Sequence, residues 1–533
     1  MLAVVGESGS GKSVMSLTVM NLLSKTARIK EGSVLFSKDG RESVSLLGMD
    51  EKKAMTLRGN QMAMIFQEPM TSLNPVMSCG TQVREPLMQH KNLNRRAAKK
   101  TVIQLFEKVQ LPDPERVYNK YPHQLSGGQK QRVMIAMAIS CNPSLLICDE
   151  PTTALDVRVQ KTILDLLKAL CHTEHMGMIF ITHDLGLVAD MADRALVMLQ
   201  GRVVEEGPVK ELFANPKHPY TRGLLQCRPA LHKKGERLPV VSDFMSDPEF
   251  KIEFPETKPK QNRVPEPEIL LTVKDLHLRY AGVKNWFGKE KHWVDAIRDI
   301  NFKVYKGETL GLVGESGSGK TTLGRALLGL NKPVSGSIQY GGVDLLTMRK
   351  KTLLDFRRNI QIVFQDPYSS LNPRLMVGPA IEEPFKVHES LNRRERKARV
   401  LELLRKVDLK PEHFNRYPFA FSGGQRQRIV IARALALNPG FVVFDESVSA
   451  LDVSVQAQVL NLINDLKENL GFTAVFISHD LSVIRYLCDR VLVMEKGLIV
   501  ESGDAEEVYL NPKSAYTKSL IEAIPGLTLT LNA

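Results

Sequence analysis

A segment that occurs twice in one chain restricts the fold severely, because each occurrence must be built as the same unit. Here GESGSGKS at 6–13 returns as GESGSGKT at 314–321, IFQEPMTSLNP at 65–75 as VFQDPYSSLNP at 363–373, and LSGGQKQR at 125–132 as FSGGQRQR at 421–428. Ser126 and Ser422, Asp149 and Asp445, and His183 and His479 are each 296 positions apart, so the copies stay in register from the SGGQ segment through the histidine. Lys12 and Lys320 are 308 apart and Gln67 and Gln365 are 298 apart. Insertions and deletions therefore fall mainly between the glycine loop and the glutamine, where surface connections tolerate them. Two copies of one machine share 533 residues, more than a single hydrophobic core usually organises.

The copies are expected to occupy 1–227 and 269–533. Between them, 228–268 carries Pro229, Pro239, Pro248, Pro255, Pro259, Pro265 and Pro267 among charged residues without a sustained apolar period, which reads as a proline-rich linker. Within each copy short apolar runs alternate with amphipathic stretches. The runs 145–148 and 441–444 read as buried strands, and 157–170 and 453–466 as helices. Strand, glycine loop and helix in that order imply an α/β fold with a mostly parallel sheet covered by helices.

At 43% hydrophobic and 25% charged the composition is that of a globular protein, and no apolar run reaches bilayer length. The first residues lead straight into the glycine loop, which does not read as a secretory leader, so a cytoplasmic protein is expected. Six cysteines (Cys79, Cys141, Cys148, Cys171, Cys227 and Cys488) lack C-x-x-C spacing, suggesting neither a disulfide framework nor a zinc site. The net charge of +13 is spread along the chain, as expected of solvated helix faces, and nucleic acid is not an expected partner.

The pattern G-x-x-x-x-G-K-[ST] between an apolar strand and a helix cradles a polyphosphate with backbone N–H groups at a helix N-terminus. The loop residues are Gly6, Glu7, Ser8, Gly9, Ser10, Gly11, Lys12 and Ser13 in the first copy. Gly314, Glu315, Ser316, Gly317, Ser318, Gly319, Lys320 and Thr321, followed by Thr322, form the second. Each lysine is expected to reach the outer phosphates, and the Ser13 and Thr321 hydroxyls to help hold Mg²⁺. Asp149-Glu150 and Asp445-Glu446 end apolar strands; the aspartate suits a magnesium shell and the glutamate a general base on the attacking water. His183 and His479 follow strands and are expected near the γ-phosphate. Gln67 and Gln365 end apolar segments and could ligate magnesium or orient water.

These residues resemble the ABC transporter ATPase family over nearly the whole chain outside the linker. The resemblance implies two P-loop modules, each with an antiparallel β portion and a helical subdomain beside the parallel core. Ser126, Gly127, Gly128 and Gln129, like Ser422, Gly423, Gly424 and Gln425, are the family's signature segment ahead of a helix, where N–H groups and a positive dipole end are available to phosphate. In the family this segment closes over the nucleotide of the other module. One expected site joins Lys12, Ser13, Gln67, Asp149, Glu150 and His183 with 422–425; the other joins Lys320, Thr321, Gln365, Asp445, Glu446 and His479 with 126–129. Asp156 and Asp452 match the loop that couples the sites. Ser447 departs from the usual proline, with both carboxylates retained.

The segments QEPMTSLNP, QDPYSSLNP, NPKHPYTRGLL and NPKSAYTKSL are similar to the importer branch for oligopeptide, dipeptide, nickel and glutathione. That likeness implies two transmembrane permeases, an extracytoplasmic solute-binding protein, and a peripheral position on the cytoplasmic face of the inner membrane. Peptide is the expected solute, with glutathione and a metal complex next. A soluble tandem ATPase acting on ribosomes or nucleic acid is the alternative, disfavoured by the proline-rich linker; an iron–sulfur centre is not expected from Cys227 alone. Tyr280 matches the family's adenine-stacking aromatic, and the first copy has no equivalent before its loop. A start upstream of Met1 is therefore expected.

Overall fold

The computed structural model describes residues 1–38, 40–67, 72–152, 155–247, 250, 268–281, 293–449 and 451–526. The later part of the expected linker, with Pro248, Pro255, Pro259, Pro265 and Pro267, lies outside them. The chain divides into two compact units, one comprising Met1–Leu225 with the chain end from Pro525, the other Gln226–Ile524.

In the first unit the strands are β1 (Leu2–Val5), β2 (Leu35–Ser37), β3 (Ser43–Ser45), β4 (Met62–Ile65), β5 (Leu145–Asp149), β6 (Gly177–Thr182), β7 (Arg194–Leu199) and β8 (Arg202–Pro208). Six of them form one sheet in the order β4-β5-β6-β1-β7-β8. All neighbours are parallel except β7 and β8. The central strands are apolar throughout because helices cover both faces: Ala3, Val4 and Val5 of β1 and Leu146, Ile147 and Cys148 of β5 are fully buried. The remaining pair, β2 and β3, is antiparallel.

The register decides where chemistry can occur. Val5 lies beside Thr182, Asp149 beside Ile181 and Ile65 beside Cys148. The carboxyl ends of β4, β5, β6 and β1 therefore finish side by side, and the next residues along each strand meet at one edge, as ligand sites of open parallel sheets do. A helical layer comprises Cys79–His90, Arg95–Lys108, Pro114–Asn119 and Gly127–Ile139, and buries Val83, Val102, Phe106, Val117 and Ile135 together.

The second unit repeats this plan with β11 (Thr309–Val313), β14 (Ile360–Val363), β15 (Phe441–Asp445), β16 (Thr473–Ser478), β17 (Arg490–Glu495) and β18 (Leu498–Asp504), in the order β14-β15-β16-β11-β17-β18. It also has a four-stranded antiparallel sheet, β10-β9-β12-β13, built from β9 (Ile269–Ala281), β10 (Trp293–Tyr305), β12 (Ser335–Tyr340) and β13 (Val343–Asp344). Leu271 and Val273 of β9, then Leu276 and Leu278 beyond a register shift, and Phe302 and Val304 of β10 turn inward, which makes this sheet one-sided.

Part of the stretch expected as linker is packed. Leu238, Val241 and Phe244 are buried in the second unit. The Leu238 N–H donates to Asn461 Oδ1 at 3.0 Å, and Asn461 Nδ2 donates back to the Leu238 carbonyl at 2.8 Å. Tyr486 donates to the Glu236 carbonyl at 2.8 Å. Leu238 precedes the short helix Val241–Ser246, which buries Val241 and Phe244, so the apolar spacing of three runs over too brief a stretch to stand out among prolines. All six cysteines are free and buried. No helix among the described residues is long and apolar enough to cross a membrane.

Candidate functional site

β1 and β11 each deliver the chain to a glycine that must pass close beneath a neighbouring strand. A Cβ at Gly6 would stand 2.3 Å from the Met198 carbonyl oxygen, and one at Gly314 2.2 Å from that of Met494, so no larger residue fits. Beyond it the loop folds on itself through Ser10 N–H to the Glu7 carbonyl at 3.1 Å, and it is tied to the β7–β8 turn by Gly201 N–H to the Ser10 carbonyl at 2.9 Å. The second loop makes the equivalent bonds, Ser318 to Glu315 at 3.1 Å and Gly497 to Ser318 at 3.0 Å.

Lys12 and Lys320 open the helices Lys12–Val19 and Lys320–Leu327 and are buried. Lys12 Nζ donates to the carbonyls of Gly6 (2.7 Å) and Glu7 (2.9 Å); Lys320 Nζ does so to Gly314 (2.7 Å) and Glu315 (2.8 Å). The ammonium is thus held against two backbone carbonyl oxygens of its own loop. Ser13 Oγ donates to Asp149 Oδ1 at 3.2 Å and Thr321 Oγ1 to Asp445 Oδ1 at 3.0 Å. Burial pushes both aspartates above the ordinary carboxylate value, against the opposing pull of these hydroxyls. A bound cation would reverse that burial cost.

Glu150 and Glu446 follow at φ +47° and +45°, a conformation uncommon for residues with side chains, and their N–H groups donate to Ile181 and Ile477 at 3.0 Å. Gln67 Nε2 donates to Glu150 Oε2 at 3.0 Å, and His183 Nδ1 stands 3.2 Å from Glu150 Oε1. In the second unit Gln365 Nε2 donates to Glu446 Oε2 at 2.7 Å, with His479 Nδ1 3.6 Å and Lys320 Nζ 3.7 Å from that carboxylate. Burial acts to raise Glu446, but His479 and Lys320 outweigh it and hold the carboxyl below its usual range. It is therefore ionised at neutral pH, the form a general base needs.

Each unit thus brings its loop, glutamine, aspartate, glutamate and histidine together. The signature residues lie elsewhere in their own unit, at the start of the helices Gly127–Ile139 and Gly423–Ala434. There serine and glutamine cap each other: Gln129 N–H donates to Ser126 Oγ at 3.3 Å and Ser126 N–H to Gln129 Oε1 at 3.2 Å, with 3.4 and 3.2 Å for Gln425 and Ser422. Tyr280 lies on β9 with an exposed ring, its hydroxyl accepting from Asn331 Nδ2 at 2.9 Å. Sequence reasoning missed two tyrosines: Glu7 N–H donates to Tyr220 Oη and Glu315 N–H to Tyr516 Oη, both at 2.9 Å. The signal was available, since Tyr220 and Tyr516 are also 296 positions apart.

A phosphate loop, an acidic strand end and a histidine at one edge of a parallel sheet, built twice, define a pair of ATP-hydrolysing cassettes. Residues 1–153 and 297–449 match the ABC transporter family, and 204–249 and 500–531 match the C-terminal region of oligopeptide/dipeptide transporters. The chain belongs to the ABC transporter family, in its peptide branch, and is an ATP-binding protein with ATPase activity. It is 47% identical over 526 residues to the glutathione import ATP-binding protein GsiA of Pectobacterium atrosepticum, covering 98% of this chain and 84% of the relative. The corresponding protein of Escherichia coli K12 is 47% identical over 536 residues, with the same coverage.

Proposed function

We propose that this chain is the motor of an importer, coupling ATP hydrolysis at two composite sites to uptake of a peptide-like solute, with glutathione the first candidate. The convergence of Gln67, Glu150 and His183, repeated by Gln365, Glu446 and His479, carries the catalytic part of this reading. Relatives named for glutathione import support the solute. Ser13, Gln67 and Asp149, and likewise Thr321, Gln365 and Asp445, offer the hard oxygen donors that Mg²⁺ prefers. Bound there, the ion would neutralise charge on the outer phosphates. Lys12 and Lys320 hold those phosphates, while Glu150 and Glu446 take the proton of the attacking water with His183 and His479 beside them. Each signature serves the nucleotide of the opposite module, and Tyr280 stacks on the adenine of the second. Two transmembrane permeases and an extracytoplasmic binding protein complete the machine, which places the chain on the cytoplasmic face of the inner membrane.

Cells lacking the chain should lose uptake of labelled glutathione and regain it with the wild-type chain but not with Lys12→Ala/Lys320→Ala. Uptake that survives deletion argues against the solute. Ser126→Arg should reduce labelling of the Lys320 half by a photoreactive ATP analogue more than that of the Lys12 half. The reverse pattern would refute the crossed pairing.

A further inference from the structure

The two tyrosines do more than fill space. Tyr220 is fully buried and Tyr516 nearly so, and each hydroxyl accepts the N–H of the second residue of its phosphate loop. That N–H and the carbonyl of the preceding glycine belong to one planar peptide unit. The carbonyl side, at Gly6 and Gly314, holds the lysine ammonium at 2.7 Å in both units. Phenol, peptide and ammonium are therefore linked in series, and a peptide polarised at its N–H presents a stronger carbonyl. The tyrosines begin the helices Pro219–Gln226 and Ala515–Glu522, inside the stretches that match the oligopeptide/dipeptide transporter C-terminal region. Each is delivered by a turn pinned to the last strand of its sheet. Glu205 accepts the N–H groups of Lys217 (2.8 Å) and His218 (3.0 Å), and Glu501 those of Lys513 (2.8 Å) and Ser514 (3.0 Å).

We infer that Tyr220 and Tyr516 are positioning residues for ATP: each fixes the glycine–glutamate peptide of its phosphate loop, and through it the loop lysine, so that the C-terminal region sets the geometry of phosphate binding. The inference rests on the nucleotide-site reading above and adds residues it does not include. Without the hydroxyl, the part-buried N–H loses this acceptor and the peptide is held less firmly, which lets the carbonyl turn away from the lysine. The ring and its packing remain in a phenylalanine variant, so the hydroxyl can be tested alone.

The experiment uses the full chain in a Lys12→Ala background, which leaves only the second site, and compares it with Lys12→Ala/Tyr516→Phe. MgATP binding is titrated, and thermal unfolding is followed with and without MgATP. The dissociation constant should rise roughly three- to tenfold, the equivalent of one part-buried hydrogen bond. The unfolding midpoint without nucleotide should change little, while the increment given by MgATP shrinks. Lys12→Ala/Glu501→Gln, which loosens the turn without touching the loop, should shift affinity in the same direction by less. An unchanged dissociation constant in the Tyr516→Phe chain overturns the inference, as does a loss of stability equal with and without nucleotide. A parent chain that binds no MgATP overturns the nucleotide-site reading and this inference with it.

Discussion

The two phosphate loops are built alike in unlike surroundings. Around the second, β10 packs close: a Cβ at Gly319 would stand 2.4 Å from the Ala296 carbonyl oxygen, and Arg298 N–H donates to the Gly497 carbonyl at 2.9 Å. Around the first, the nearest atom to a Cβ at Gly11 is Gly201 Cα at 3.5 Å. Yet the lysine-to-glycine distance is 2.7 Å in both, and the tyrosine bond 2.9 Å in both. The loop geometry therefore goes with the parallel core and the C-terminal tyrosine, which both units share. The antiparallel sheet contributes something else, an aromatic surface at Tyr280.

If the cores are equivalent in chemistry, removing both candidate general bases should abolish turnover with nucleotide still bound. Glu150→Gln with Glu446→Gln is expected to slow phosphate release by about a hundredfold or more while MgATP stays on the protein. The single variants separate the modules, since strongly unequal residual rates would show that one module does most of the work. Affinity should separate the modules by less. Stacking of a base on an aromatic contributes about 1–3 kcal/mol, so if Tyr280 carries the adenine, Tyr280→Ala should weaken MgATP binding at the Lys320 site roughly tenfold and leave the Lys12 site unchanged. Titration in Lys12→Ala and Lys320→Ala backgrounds measures the two sites separately, and equal losses at both would refute this.

The smallest effect expected is in acid, where the modules should again behave alike. Burial acts to raise Glu205 and Glu501, but the amides and other partners they hold outweigh it and depress both. A depressed carboxylate contributes stability above its ordinary pKa and loses it as pH falls through the folded value. Asp149 and Asp445 are raised and work the other way, favouring the folded state as they take up protons. Glu205→Gln and Glu501→Gln should therefore each flatten the acid fall in unfolding midpoint, by roughly 1–3 °C. A flattening confined to one variant would show that the two turns are held differently.

Much of this site was legible because its residues sit at strand ends, where an apolar run stops abruptly at Asp149-Glu150 or His183. Parallel order then brings those ends together, so pattern alone implied the α/β core. The tyrosine contacts were not legible in the same way. Tyr220 is more than 200 positions from Glu7 and sits in a segment read only as a family likeness, with no chemical reason to point at a loop. The packed face of Leu238, Val241 and Phe244 was hidden by neighbouring prolines. Nor could spacing show that Gln67 and His183 address the same glutamate, because that depends on β4 and β6 flanking β5.

The backbone of Glu150 and Glu446 has a consequence for how such chains drift. A left-handed conformation costs a residue with a Cβ roughly 1 kcal/mol or more that glycine would not incur. At these two positions a random change to glycine would relieve the backbone and delete the carboxylate at once, so folding gives no protection to the chemistry. Selection for a sturdier protein would push a spare module toward silence. That both halves of this chain keep glutamate there means that neither has taken that step.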